Sequence, residues 1–232
     1  MGLKEMEQKR DARLAGIQKY IDSGVKFIDE YTAYIDETVS IGEGTVIGPC
    51  VTLSGNTVIG KDCFIGQNTY ISDSVIGDAV EIKSSQIIES SVGDRTKVGP
   101  FAYLRPNSHI GRECKVGDFV EVKNSSMGDG TKASHLTYIG DSDVGANVNL
   151  GCGVVFVNYD GTKKYRSVVE DNAFIGCNSN LVSPVRIGEG AYIAAGSTVT
   201  EDVEGDSLYI ARARGMEKTG WVSKKGVLKK KK

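Results

Sequence analysis

Between Ile41 and Val199 an aliphatic side chain returns at nearly every sixth position, with polar residues between. Ile41, Ile47, Leu53, Ile59, Ile65 and Ile71 open the series. After short slips it resumes at Ile76, Val92, Val98, Leu104, Ile110 and Val116, then at Ile139, Val144 and Leu150. Ile175, Leu181, Ile187, Ile193 and Val199 close it. The aliphatic is usually followed by Gly, and a small residue stands at the fifth place. A period of six is neither helical nor that of a single strand. It is the period of a hexapeptide repeat, in which each hexad makes one short strand and one corner and three hexads close a coil. The pattern therefore predicts an all-β protein, a parallel β-helix of about eight coils and about 40 Å. The aliphatic is expected inward at the corner and the small residue in the middle of each flat side. The glycine is expected to permit positive φ and close backbone approach. Cys63 and Cys114 fall at the fifth place, so they read as small packing groups.

The pattern changes at both ends. Residues Leu3 to Gly24 are charged and helix-favouring, with Leu14, Ile17 and Ile21 at helical spacing, which predicts an amphipathic N-terminal helix capping the first coil. From Glu204 the hexads stop and basic residues accumulate toward "KKGVLKKKK". The expected organisation is a helix over 1–24, the β-helix over 25–203, and an irregular C-terminal extension with a basic tail over 204–232.

Composition narrows the function classes. A formal net charge of −2 over 232 residues argues against a nucleic-acid binder. No long apolar run or charged leader is present, so neither a membrane span nor a secretory signal is expected. Five cysteines, an odd number without C-x-x-C spacing, point to a reducing cytoplasm and away from structural zinc.

Chemistry is sought where the repeat breaks. In "KASHLTYIG" Ala133 takes the aliphatic slot and His135, two places on, should project outward. In "VNYDGTKKYRS" nothing obeys the repeat between Phe156 and Val168, two hexads apart, so a loop carrying Lys163, Lys164 and Arg166 leaves the coil. Arg105, in "FAYLRPNSHI", and Lys123 share one phase a coil apart, which stacks two like charges at about 5 Å. An anion between them would relieve the repulsion; a solvated ladder of charges is the competing reading. A histidine, with an ordinary pKa of about 6.5, suits proton removal near neutrality. The inventory is that of an enzyme cleft.

At these residues the chain becomes specific. "GPFAYLRPNSHIG", "VGDFVEVKNSS", "KASHLTYIGDSDVGANVNLG", "VNYDGTKKYRS" and "FIGCNSNLVSPVRIGEGAYIAAGSTVT" resemble the acetyltransferase half of the bacterial bifunctional N-acetylglucosamine-1-phosphate uridyltransferase / glucosamine-1-phosphate N-acetyltransferases. The likeness runs from about Gly24 to Trp221. It implies a left-handed β-helix, a homotrimer with sites between subunits, and transfer of acetyl from acetyl-CoA to the amine of glucosamine 1-phosphate. That step leads to the UDP-N-acetylglucosamine of the cell wall, and it implies no metal. By position, His135 resembles the general base, Glu121 an assisting carboxylate, and Asn158 a partner of the amine and the tetrahedral centre. Arg105, Lys123 and Lys164 correspond to sugar-phosphate contacts, and Tyr138 and Asn149 to further sugar contacts. Tyr159 corresponds to a residue beside acetyl-CoA, while Ala195 and Arg212 match the CoA pocket. Cys152 and Cys177 fall in that pocket, where many relatives carry Ala and some carry Ser; in place of the hydroxyl at 177 a backbone amide would serve. The family's uridyltransferase half has no counterpart in the 232 residues, so UDP-sugar synthesis is not expected. Three other readings remain open: a different amino sugar phosphate or nucleotide amino sugar as acceptor, a non-catalytic scaffold subunit, and a hexapeptide-fold carbonic anhydrase. The last needs three histidines, and only His109 and His135 exist.

Overall fold

A computed structural model describes residues 2–226; Val227–Lys232, most of the basic tail, lie outside the described residues. The chain winds into a left-handed parallel β-helix of about ten coils and three faces. The first face has 11 strands, from Lys26–Phe27 to Leu208–Tyr209. The second has 10, from Tyr34–Ile35 to Thr198–Val199, and the third has nine, from Ser40–Ile41 to Arg186–Ile187. The eight coils expected from the hexads fall short because the ends do not show the pattern. A turn begins at Lys26, before the first clean hexad, and Leu208–Tyr209 pairs with Tyr192–Ile193 beyond the last one.

The roles inside the hexad differ from expectation. The aliphatic lies on the flat side, within its strand: Ile47, Ile65, Ile82, Val98 and Val116 stack in register down the inside of the first face. The small fifth-place residue sits at the corner, just before the next strand. There Thr96 donates to the Gly111 carbonyl at 2.8 Å and accepts from the Cys114 amide at 2.9 Å, so a short hydroxyl satisfies backbone that turns away from the sheet. Cys63 and Cys114 are buried at such corners, and burial pushes both thiols up. The glycine beside the aliphatic serves close approach and, Gly99 apart, not positive φ. A Cβ on Gly42 would stand 2.6 Å from the carbonyl carbon of Gly60 in the next coil. Positive φ falls instead at the fourth place, held by Asn68, Asn107 and Asn147 among others.

The N-terminal helix, Leu3–Asp22, packs on the open end of the first coil. Ile17 and Tyr20 are buried there, whereas Ile21 is exposed. Tyr20 replaces it in the contact face because its hydroxyl reaches the Val39 carbonyl at 2.8 Å. Arg13 covers the Tyr34 ring at 4.5 Å and donates to the Tyr31 carbonyl at 2.9 Å. Beyond the last strand a short helix spans Trp221–Lys225. Among the described residues no helix is long and apolar enough to cross a membrane.

Candidate active site on the second face

His135 ends the strand Lys132–His135 on the first face, next to the edge shared with the second. It lies in register with Asp118 of the coil below, and its Nδ1 is 2.6 Å from the Asp118 carboxylate. A carboxylate accepts only, so Nδ1 carries the proton and Nε2 is left with its lone pair; the tautomer is assigned from this partner. The imidazole bond holds the Asp118 carboxyl below the usual carboxylate range. Both side chains face outward.

Across the second face stand the cations. Arg105 donates to Glu121 at 2.8 Å, which raises the guanidinium further. Lys123 follows one coil on, and Asp141 receives its ammonium at 3.2 Å. Stacked like charges are therefore each matched by a carboxylate, and need no anion to coexist. Asp141 sits in register between two amides, accepting from Asn124 at 2.6 Å and from Asn158. Burial alone would raise the Asp141 carboxyl, but the Asn124, Lys123 and Asn158 donors outweigh it and hold it low. Lys164 reaches over Lys123 from the loop. Crowding by Lys123 holds the Lys164 ammonium below its ordinary value, and among the described residues Lys164 forms no ion pair. Lys123 is held above the ordinary value: burial opposes its charge, and the Asp141 carboxylate prevails.

Tyr138, directly above Glu121, accepts a 3.4 Å hydrogen bond from the Asn158 amide. Gly140 makes room for both, since a Cβ there would stand 2.4 Å from the Tyr138 hydroxyl and 2.7 Å from Nδ2 of Asn158. The loop Asn158 to Arg166 is built by Asp160, which accepts from the Thr162 and Lys163 amides at 2.7 Å and is held well below the carboxylate range. Arg166 pins the loop down. Its guanidinium meets Asp143 at 2.6 Å, the Asn124 carbonyl at 2.9 Å and the Ser142 carbonyl at 3.2 Å. The coil resumes with Val169 inward; Val168, which the hexad count points to, faces out.

A second set of residues climbs the edge between the first and second faces. Above His135 and Leu136, the Asn178 amide donates to the Cys152 carbonyl and the Gly196 amide to the Cys177 carbonyl, each at 2.8 Å. Ala195 continues the column, and Arg212 lies against Gly196, its Cδ 3.8 Å from where a Cβ would be. Beside and below His135 the same edge carries Leu136, Phe119 and Phe101, exposed by 57%, 58% and 59%. All three hold positive φ, of 59°, 55° and 46°. Bulky apolar residues are poorly suited to that conformation, which Asn68 and Asn178 take elsewhere on the edge.

One chain does not unite every expected residue. Glu121 bonds Arg105 and not His135; Asp118 takes that contact. Asn149 stands on the first face between Lys132 and Phe174, away from the cations. Tyr159 belongs to the loop at the far edge, its hydroxyl on the Gly161 carbonyl at 2.6 Å, remote from the Cys152–Arg212 column. His135 and Asn158 flank opposite margins of the second face, with the strand Tyr138–Gly140 between them. Asp118 and Asp141 are the functional candidates that sequence reasoning missed. The signal was a step of 17 residues, which separates Asp118 from His135 and Asp141 from both Asn124 and Asn158.

Comparison with known proteins agrees with this architecture. Residues 20–103 match the family described as GMPPB C-terminal domain, and residues 89–124 and 166–201 match the bacterial transferase hexapeptide (six repeats). The chain is 50% identical over 228 residues to the bifunctional protein GlmU of Alkaliphilus metalliredigens, covering 98% of this chain and 50% of that protein. It is 58% identical over 208 residues to GlmU of Clostridioides difficile, covering 90% and 45%. Among solved structures, an Arabidopsis UDP-N-acetylglucosamine acyltransferase superposes with a TM-score of 0.66 at 17% identity, over 78% of this chain and 70% of that one, a likeness of fold alone. The chain spans about half the length of the curated relatives it matches. It is a hexapeptide-repeat chain whose sequence corresponds, along nearly its whole length, to part of the bifunctional GlmU proteins.

Proposed function

We propose that the chain is a glucosamine-1-phosphate N-acetyltransferase that takes acetyl from acetyl-CoA. The observation that carries the reading is a histidine whose Nε2 keeps its lone pair, at one margin of a face whose other margin holds Lys123 and Lys164, the latter without an ion pair among the described residues, with Arg105 and Tyr138 beside them. A phosphate seated on the cations leaves an amine on the adjoining sugar carbon turned toward the imidazole. An ammonium has no lone pair, so the amine must react in its neutral form, and a base must take the proton that nitrogen sheds as it attacks the thioester carbonyl; such help is worth about 10²–10⁴ in rate. Nitrogen forms a bond to carbon, Nε2 of His135 receives the proton, and the carbon–sulfur electrons leave with the CoA thiolate, which is then protonated. Asn158 is proposed to steady the amine and the tetrahedral centre. The Cys152, Cys177, Ala195 and Arg212 edge is proposed to carry CoA, with backbone amides at the two cysteines facing the thioester and Arg212 its phosphates. Tyr159 and Asn149 are assigned to the donor and the sugar of a site shared with a neighbouring chain.

The proposed assembly is a homotrimer. Its support is the exposed ladder of Phe101, Phe119 and Leu136 adjoining His135, together with the split of the site between two edges. We place the reaction in the cytoplasm, with no metal requirement. The test is release of free CoA from acetyl-CoA with glucosamine 1-phosphate, beside glucosamine and glucosamine 6-phosphate. Release is expected with the 1-phosphate at more than ten times the rate of either control, and it disappears in His135→Ala. Equal rates with all three sugars would defeat the phosphate assignment, and a fully active His135→Ala would defeat the mechanism.

A further inference from the structure

We infer that Asp118 is the positioning residue of the candidate base, fixing the tautomer of His135 and stabilising the imidazolium that forms as acetyl is transferred; the inference rests on the acetyltransferase reading above. The geometry singles out Asp118 among the carboxylates near the site. It is in strict register one coil below His135, so backbone hydrogen bonds, and not a flexible loop, set the separation of the two side chains. The contact of 2.6 Å is short for N–H to oxygen, as when the acceptor is ionised. The two competing carboxylates are already engaged: Glu121 holds Arg105 at 2.8 Å, and Asp141 is enclosed by Lys123, Asn124 and Asn158. Gly117, just before Asp118, permits the close stacking; a Cβ on it would stand 1.9 Å from the Ser134 carbonyl oxygen, beside His135. Lys115, on the same strand as Asp118, further favours its ionised form.

The chemistry follows from the inventory of an imidazole. A neutral histidine has one donor and one acceptor nitrogen, and only the acceptor can remove a proton. With Asp118 accepting from Nδ1, Nε2 is the acceptor, directed away from the coil. When Nε2 takes the amine proton the ring becomes a cation, and Nδ1–H then faces a fixed negative charge. That interaction exists in the transition state and only weakly before it, so it bears on kcat. Glu121, acting through Arg105, bears on the seat of the phosphate and so on KM.

The experiment compares Asp118→Asn, Asp118→Ala and Glu121→Gln with the full-length wild type. Ring nitrogens of His135 are observed by long-range proton–nitrogen NMR without substrate, assigned by loss of the signals in His135→Ala. In wild type the neutral ring is expected to be protonated at Nδ1. In Asp118→Ala this preference is lost. The kinetic expectation is a 10- to 100-fold fall in kcat for both Asp118 variants, with KM for glucosamine 1-phosphate within twofold of wild type. Asp118→Glu should recover part of kcat. Glu121→Gln should raise KM for the sugar phosphate and leave the ring tautomer unchanged. An unaltered tautomer in Asp118→Ala, or a kcat loss found in Glu121→Gln and not in the Asp118 variants, overturns the inference. The spectrum requires no turnover, so a failed assay with glucosamine 1-phosphate would count against the acetyltransferase reading and leave the dyad standing.

Discussion

Asp141 is the carboxylate on which the cation side of the face depends, and replacing it by alanine gives a calculable loss. The change removes the acceptor for Lys123 at 3.2 Å, Asn124 at 2.6 Å and Asn158. A hydrogen bond to a charged group contributes about 1.5–3 kcal/mol, and breaking a buried ion pair costs about 3–5 kcal/mol. The side chains of Lys123 and Asp141 are 18% and 9% exposed, so water screens the pair little, though Lys123 can turn outward once freed. The expected cost is about 3 kcal/mol, which for a chain of this length lowers Tm by about 6–12 °C. Thermal unfolding followed by far-ultraviolet circular dichroism measures it. Asp141→Asn isolates the charge, and its pH dependence has a definite sign. The folded carboxyl is held below its unfolded value, so its contribution is complete above roughly pH 4 and fades as pH falls toward the folded value. The gap in Tm between wild type and Asp141→Asn should thus be full at neutral pH and narrow below roughly pH 4. A loss below about 1 kcal/mol in Asp141→Ala, or a gap that stays constant down to pH 3, would refute the argument.

Four further substitutions have expected outcomes. Gly140→Ala should raise KM for the sugar phosphate at least about tenfold with only a modest fall in Tm, because the added Cβ meets side-chain ends, those of Tyr138 and Asn158, and not backbone. Gly117→Ala drives a Cβ into the Ser134 backbone and should cost several kcal/mol in urea unfolding, whereas Gly16→Ala, in the N-terminal helix with open space around it, should gain about 1 kcal/mol. Phe119→Asn relieves a strained positive φ but removes the centre of the apolar edge, so sedimentation velocity should show the proposed trimer dissociating at higher concentration than wild type while the coil stays folded.

Much of the fold was legible because a hexad constrains only inward positions, and those repeat. Ile47 and Ile65, and likewise Val98 and Val116, stand 18 residues apart in the series, and each pair shares an inner column in the fold. What spacing could not reveal is which part of the hexad bends. Thr96 and Asn107 fix the corners through a hydroxyl and a tolerated positive φ, and neither property has a period of its own. The site was half legible for a related reason. Arg105 and Lys123 were paired by assuming coils of 18 residues, but the corner before Met127 is one residue shorter. From there the step is 17, and it brings Asp118 under His135 and Asp141 between Asn124 and Asn158. The family likeness put Glu121 near His135, whereas the carboxylate in contact with the ring is that of Asp118, three places earlier. Val168 was misplaced because a loop erases phase: after nine irregular positions no spacing argument says which of two adjacent valines turns inward.

The Arg166 clamp has a consequence for how this protein can be lengthened or trimmed. Apart from that clamp each coil pairs only with the ones above and below, so the lower storeys, from Lys26 up to about Asp94, act as a pedestal that carries none of the candidate site residues. A pedestal can lose or gain a whole storey, provided the terminal helix still seals its base, without disturbing what is built higher up. The three storeys stitched together by the single guanidinium of Arg166 have no such freedom, because the excursion that carries Lys164 is moored to all of them at once.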